Sequence, residues 1–251
     1  MTEAEWLGCT DLTPMLEFLR GKVSDRKVRL FAVACCRRVW PLVKDDRFRA
    51  AAQAAELFAD GIITKEDMIQ ARSTALAVFV KLRGGEDEAP AATLSAAAIP
   101  APPKSFEKQF LDVFADPWWE DELDKGDPHG PAVVTARHTA WAVAQAQGQR
   151  PLADSTGAKA EQREQATLLR ELLGSPFRPI ALDPTWLEWN DGTVRKMATA
   201  IYEERAFDRL PLLADALEEA GCTDADILAH CRSGGEHVRG CWVVDLLLGK
   251  S

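Results

Sequence analysis

The sequence predicts an all-α protein, a multi-helix orthogonal or array-like bundle with a Pro/Ala-rich linker. Two observations carry that reading. Apolar residues recur at i, i+3, i+4 and i+7, as Leu210, Leu213, Ala214 and Leu217 do, which lays one apolar stripe along a 3.6-residue period. Such stripes are also bracketed by Ser, Thr or Asp before them and Gly or Pro after them, the residues that start and stop helices. The run CWVVDLLL (241–248) leaves a buried strand open, because a short apolar run does not discriminate.

In chain order, Thr13-Pro14 opens a helix that offers Met15, Leu16 and Leu19 for burial and stops at Gly21. Ser24 starts RKVRLFAVACCRRVW, which ends at Pro41. Its apolar residues spread around most of the circumference, so it is expected to be the central helix of the N-terminal half. Arg37 and Arg38 must then reach solvent or a carboxylate. Asp46 begins an Ala-rich helix closed by Gly61. Thr64 with Asp67 resembles a capping box for a helix running to about Leu82, with Met68, Ala71, Ala75 and Val78 on one face.

Residues 84–104 hold four prolines and seven alanines and little that packs, which predicts a flexible or extended linker. A helix is expected to resume at Ser105, followed by a loop over 115–131 that carries Trp118 and Trp119. Helices are then predicted over 132–147 and 159–173, the second stopped by Gly174 and Pro176. Asp183-Pro184 opens a helical turn with Trp186 and Trp189, Asn190-Asp191-Gly192 makes a turn, and 193–205 returns to helix.

The last stretch, 207–250, reads as three short helices. Asp208 is placed to cap the first and Pro211 falls in its first turn; Gly221 ends it, with Cys222 folding back as the apolar residue of the stop. Thr223 with Asp226 resembles a capping box for the second helix, which turns Ile227, Leu228 and Cys231 inward. Gly234 and Gly235 break it, and 237–248 is the third.

Two strings resemble a known group of proteins. The opening MTEAEWLGCTDLTPMLEFLRGKVSDRKVRLFAVACCRRVWPL and the closing PFRPIALDPTWLEWNDGTVRKMATAIYEERAFDRLPLLADALEEAGCTDADILAHCRSGGEHVRGCWVVDLLLGK are similar to the two ends of a large family of uncharacterised planctomycete bacterial proteins. The resemblance covers roughly half the chain and implies a bacterial origin; no established activity comes with it.

Composition narrows the function classes. The formal charge of −9 argues against general nucleic-acid binding, which needs basic surface. No run reaches the about 18 apolar residues of a membrane span. The acidic start MTEAEW lacks the pattern of a signal peptide, so a cytoplasmic location with reduced cysteines is expected. The six cysteines include no CxxC pair, which indicates neither a disulfide framework nor a standard zinc motif.

Three segments follow: a helical one at 1–83, the linker at 84–104 and a second helical one at 105–251. The two helical segments are expected to pack together. Residues 25–49 carry eight Arg or Lys against three Asp, while 201–251 hold ten Asp or Glu against five Arg or Lys, so Arg37 or Arg38 is expected to meet carboxylates of the C-terminal helices.

The candidate metal ligands are His237, Cys241, Cys231, His230 and Cys222. On a helix, His237 and Cys241 at i and i+4 would share a face, and zinc would ask for four such ligands. Packing, however, accounts for each cysteine, and the adjacent His230 and Cys231 diverge by about 100° on a helix. The sequence therefore assigns no metal, no cofactor and no catalytic residue. Cys241 or Cys231 with His237 would need a third residue to orient the imidazole before either could serve as a nucleophile. Cys35 and Cys36 lie beside Arg37 and Arg38, which could lower their thiol pKa, but core packing is the preferred role. The function expected is a non-catalytic cytoplasmic interaction or adaptor module with a protein partner. The alternative is a metal-dependent or Cys-based enzyme centred on His237 and Cys241.

Overall fold

The structure, a computed structural model, describes residues 1–43, 45–71, 73–74 and 156–251. The predicted linker, the helices expected from Ser105 and over 132–147, the loop over 115–131, and Ala75 and Val78 lie outside the described residues. Within them the protein is helical, with no strand. It divides into two units, Met1–Thr167 and Leu168–Ser251.

The first unit opens with α1 (Glu3–Gly8), which the sequence reading did not place. It has a reciprocal capping box, Glu5 N–H donating to Thr2 Oγ1 at 3.3 Å and Thr2 N–H donating to Glu5 Oε2 at 2.7 Å. Helix α2 (Leu12–Leu19) buries Met15, Leu16 and Leu19 as expected, but its cap is Asp11, two residues before Thr13. Helix α3 (Asp25–Arg38) is capped by Ser24 and followed by a 3-10 turn at Trp40–Leu42, where Pro41 cannot continue the α-helix. Every residue from Val28 to Cys36 is buried, as befits a central helix.

Helix α4 (Asp46–Ala59) lays Ala51, Ala52 and Ala55 against Ala32, Val33 and Cys36 of α3. Small side chains on both faces let the two backbones approach. Arg37 reaches the buried Glu56 of α4 at 2.8 Å. Arg29 is itself buried, over the Phe58 ring, and burial pushes its pKa down to about 10. Thr64 and Asp67 form the predicted box at the start of α5, helical over 65–71, and Met68 is buried.

Helix α6 (Thr156–Leu173) begins in the first unit and ends in the second. In the first unit its Glu161 receives both Nε and Nη2 of Arg38, at 2.7 and 3.0 Å.

The second unit continues with α7 (Pro184–Glu204), capped by Asp183 and broken at the predicted turn. Asn190, Asp191 and Gly192 have φ of 47°, 56° and 76°, which Asn, Asp and Gly tolerate better than other residues. A 3-10 turn at Phe207–Arg209 leads into α8 (Leu210–Glu219), so Asp208 lies inside that turn and does not cap the helix. Gly221 N–H donates to Glu218 O at 2.9 Å and Cys222 N–H to Leu217 O at 2.8 Å, the two bonds of a Schellman stop. Helix α9 (Ala225–Arg232) is capped by Asp224, whose carboxylate accepts from Asp226 and Ile227 N–H; the expected cap at Thr223 is corrected by one residue.

The third helix is shorter than expected. Helix α10 spans Trp242–Leu248, and 237–241 is irregular because Gly240, at φ 93°, turns the chain just before Cys241. CWVVDLLL is thus a helix with Cys241 as its N-cap. Leu213, Leu217, Ile201, Val194, Ile227, Val243, Val244 and Leu247 form the core of this unit. No helix among the described residues is long and apolar enough to cross a membrane.

Candidate metal centre

Four segments of the second unit deliver one polar side chain each to a common point. Glu171 lies in the last turn of α6, where Leu168 and Leu172 are also buried, and the chain leaves the helix at Gly174, φ 65°. His230 is carried by α9, His237 by the irregular segment after it, and Cys241 by the cap of α10. One ligand atom from each of Glu171, His230, His237 and Cys241 lies within 4.8 Å of all the others.

The contacts inside this group are specific. Glu171 Oε1 is 3.0 Å from His237 Nδ1, and Oε2 is 3.2 Å from His230 Nε2. His230 Nε2 is also 3.2 Å from Cys241 Sγ. The far nitrogens differ in their neighbours. His237 Nε2 lies 3.3 Å from the Ser233 carbonyl oxygen, whereas His230 Nδ1 accepts the Trp242 indole N–H at 2.9 Å. The Trp242 ring is seated against Gly174, where a Cβ would come within 3.0 Å of it.

Burial tunes these groups. It would raise the pKa of Glu171, but hydrogen bonds from His230 and His237 and their charge outweigh it and lower it. Burial works against the His237 imidazolium, yet the Glu171 carboxylate and the Ser233 carbonyl raise its pKa. Cys241 is fully buried, and burial, reinforced by the Glu171 charge, pushes its thiol well above the usual range. Without an ion the group is therefore a buried carboxylate surrounded by imidazole N–H groups and a protonated thiol.

The same atoms suit a divalent ion. Zn–N bonds of about 2.0–2.1 Å and one Zn–S bond of about 2.3 Å give a tetrahedron with edges of about 3.3–3.6 Å. Contacts of 3.0–3.2 Å with an outer limit of 4.8 Å reach that geometry with shifts of about 1 Å or less. A thiolate, imidazole and carboxylate set favours zinc or cobalt over hard oxygen-seeking cations.

Of the sequence candidates, the structure brings His230, His237 and Cys241 together and leaves Cys222 and Cys231 outside the group. Cys222 closes the Schellman stop of α8. Cys231 is buried on α9, with its thiol pushed up to about 12 by burial and then by the Glu171 charge. His237 and Cys241 do meet, though not through a helical i, i+4 relation. Glu171 escaped the sequence reading, and its signal was a carboxylate beside the apolar positions Leu168 and Leu172.

Burial sets the state of the thiols considered from sequence. Cys241 is held as a buried thiol, and Cys36 is pushed well above its usual pKa by burial and the neighbouring Cys35, against which Arg37 acts only weakly. Compared with protein-family models, with curated proteins and with solved structures, the chain finds no match in any of the three.

Proposed function

We propose that the second unit is a metal-binding module that takes a zinc-like divalent ion at Glu171, His237 and Cys241, with the His230 imidazole lying against Glu171 and Cys241. The observation that carries this reading is the convergence of four ligand-type side chains from four segments. The Ser233 carbonyl supports it further. A metal-ligating histidine normally donates its other N–H to an oxygen acceptor. His237 Nε2 has that acceptor at 3.3 Å, which leaves Nδ1 free to bind an ion once its proton is displaced.

Among the described residues, an adaptor role has no comparable constellation behind it. The large apolar side chains exposed among the described residues are Leu7, Ile62 and Leu212, and single exposed apolar residues are ordinary on any protein surface.

Elemental analysis of full-length protein purified without chelator tests the proposal, with about one zinc per chain expected. Cys241→Ser and Glu171→Gln should each weaken zinc binding more than about 10-fold in competition with a chromophoric chelator. Absence of stoichiometric zinc at micromolar free ion, or unchanged affinity in Cys241→Ser, overturns the reading.

A further inference from the structure

Resting on that metal-binding reading, we infer that Trp242 keeps His230 out of the coordination sphere, so that the ion has three protein ligands and one exchangeable position. The two histidines of the group have far nitrogens of opposite polarity. His237 Nε2 faces a carbonyl, the arrangement that lets Nδ1 ligate. His230 Nδ1 faces an indole N–H, which is a donor only. A neutral imidazole that accepts at Nδ1 carries its proton on Nε2, and Nε2 is the atom that points at Glu171 and Cys241. His230 therefore enters the centre as an N–H donor to the Glu171 carboxylate and the Cys241 sulfur. For it to ligate through Nε2, the proton would have to move to Nδ1, where it would oppose the Trp242 N–H.

Trp242 is not free to step aside. It is the first residue of α10, next to Cys241, and its ring lies against the Gly174 backbone. The fourth position thus goes to a small exchangeable ligand, water or a small anion, the arrangement found in zinc sites that activate a bound water. His230 is the most exposed of the three, its side chain 15% exposed against 6% for both Glu171 and His237.

Cobalt(II)-loaded full-length protein, titrated with azide and followed by its visible absorption bands, tests this. The wild-type spectrum should shift with azide. Trp242→Phe removes the indole N–H but keeps a ring against Gly174, so His230 becomes able to ligate. That variant should bind cobalt at least about 10-fold more tightly and lose the azide response. His230→Gln, which leaves Trp242 in place, should retain the azide response. Cobalt binding with a wild-type spectrum silent to azide, and a response appearing only in His230→Gln, makes His230 the fourth ligand and overturns this inference alone. No stoichiometric cobalt in folded wild type or Trp242→Phe overturns the metal reading as well.

Discussion

Glu171 shows how much one buried carboxylate can organise. Removing a charge from water is costly unless partners replace the lost hydration, and here two imidazoles do so. In chelated protein the pairing with His237 has a pH signature whose direction is fixed. His237 is raised above its ordinary 6.5, so its contribution is complete below about 6.5 and is lost as pH rises through the folded value. Glu171 is lowered below 4.5, so its contribution is present above about 4.5 and is lost as pH falls through its folded value. Thermal denaturation in EDTA should therefore show the pair's stabilisation between about 4.5 and 6.5, declining on the alkaline side. His237→Gln should flatten that alkaline decline; an unchanged profile would show that His237 is not the group responsible. Zinc affinity should run the other way and rise with pH, because the ion displaces protons from His237 and Cys241.

At the scale of the element, helix ends matter as much as helix faces. Gly221 has φ 92° and a Cβ there would meet no atom within 4 Å, so Gly221→Ala isolates backbone strain from packing. Chemical denaturation should show a loss of about 1–2 kcal/mol. Asp224→Ala, which removes the acceptor for two N–H groups, should cost about 0.5–2 kcal/mol in the same experiment, while Thr223→Ala should be nearly silent. Stripes and stops were legible in the sequence: the Leu210–Leu217 face, the Gly221 stop and the break at Asn190–Gly192 all fall where spacing put them. Caps were less so, since Asp11, Asp45 and Asp224 each sit within one or two residues of a rival Thr or Asp, and only the local backbone selects among them. The candidate site was legible in three of its four residues. The fourth was hidden because Glu171 stands 59 positions before His230 and looks like one more acid in a charged helix. Tertiary placement, which short-range spacing does not encode, separates it from the solvated Glu164 of the same helix.

Across the whole molecule, each unit gathers residues far apart in sequence. In the first, Arg38 on α3 and Glu161 on α6 are 123 positions apart, and the carboxylate is 4% exposed. Arg38→Ala would leave that carboxylate buried without its bidentate partner, which should cost about 3 kcal/mol of stability by denaturant titration. The loss falls at the low end of such effects because the Arg38 side chain retains 19% exposure. A loss below about 1 kcal/mol would place the pair with ordinary surface ion pairs. In the second unit, an ion bound at about 100 times its Kd should add about 2.7 kcal/mol of stability, and Cys241→Ser should abolish that increment.

The indole that donates to His230 also gives this protein a native optical probe. An excited indole is sensitive to the proton on a neighbouring imidazole and to the charge beside it, and Trp242 is in contact with the His230 ring, which itself meets Glu171. Emission should therefore change when an ion enters. The difference between wild type and Trp242→Phe isolates that one signal from the other seven tryptophans, with no dye attached.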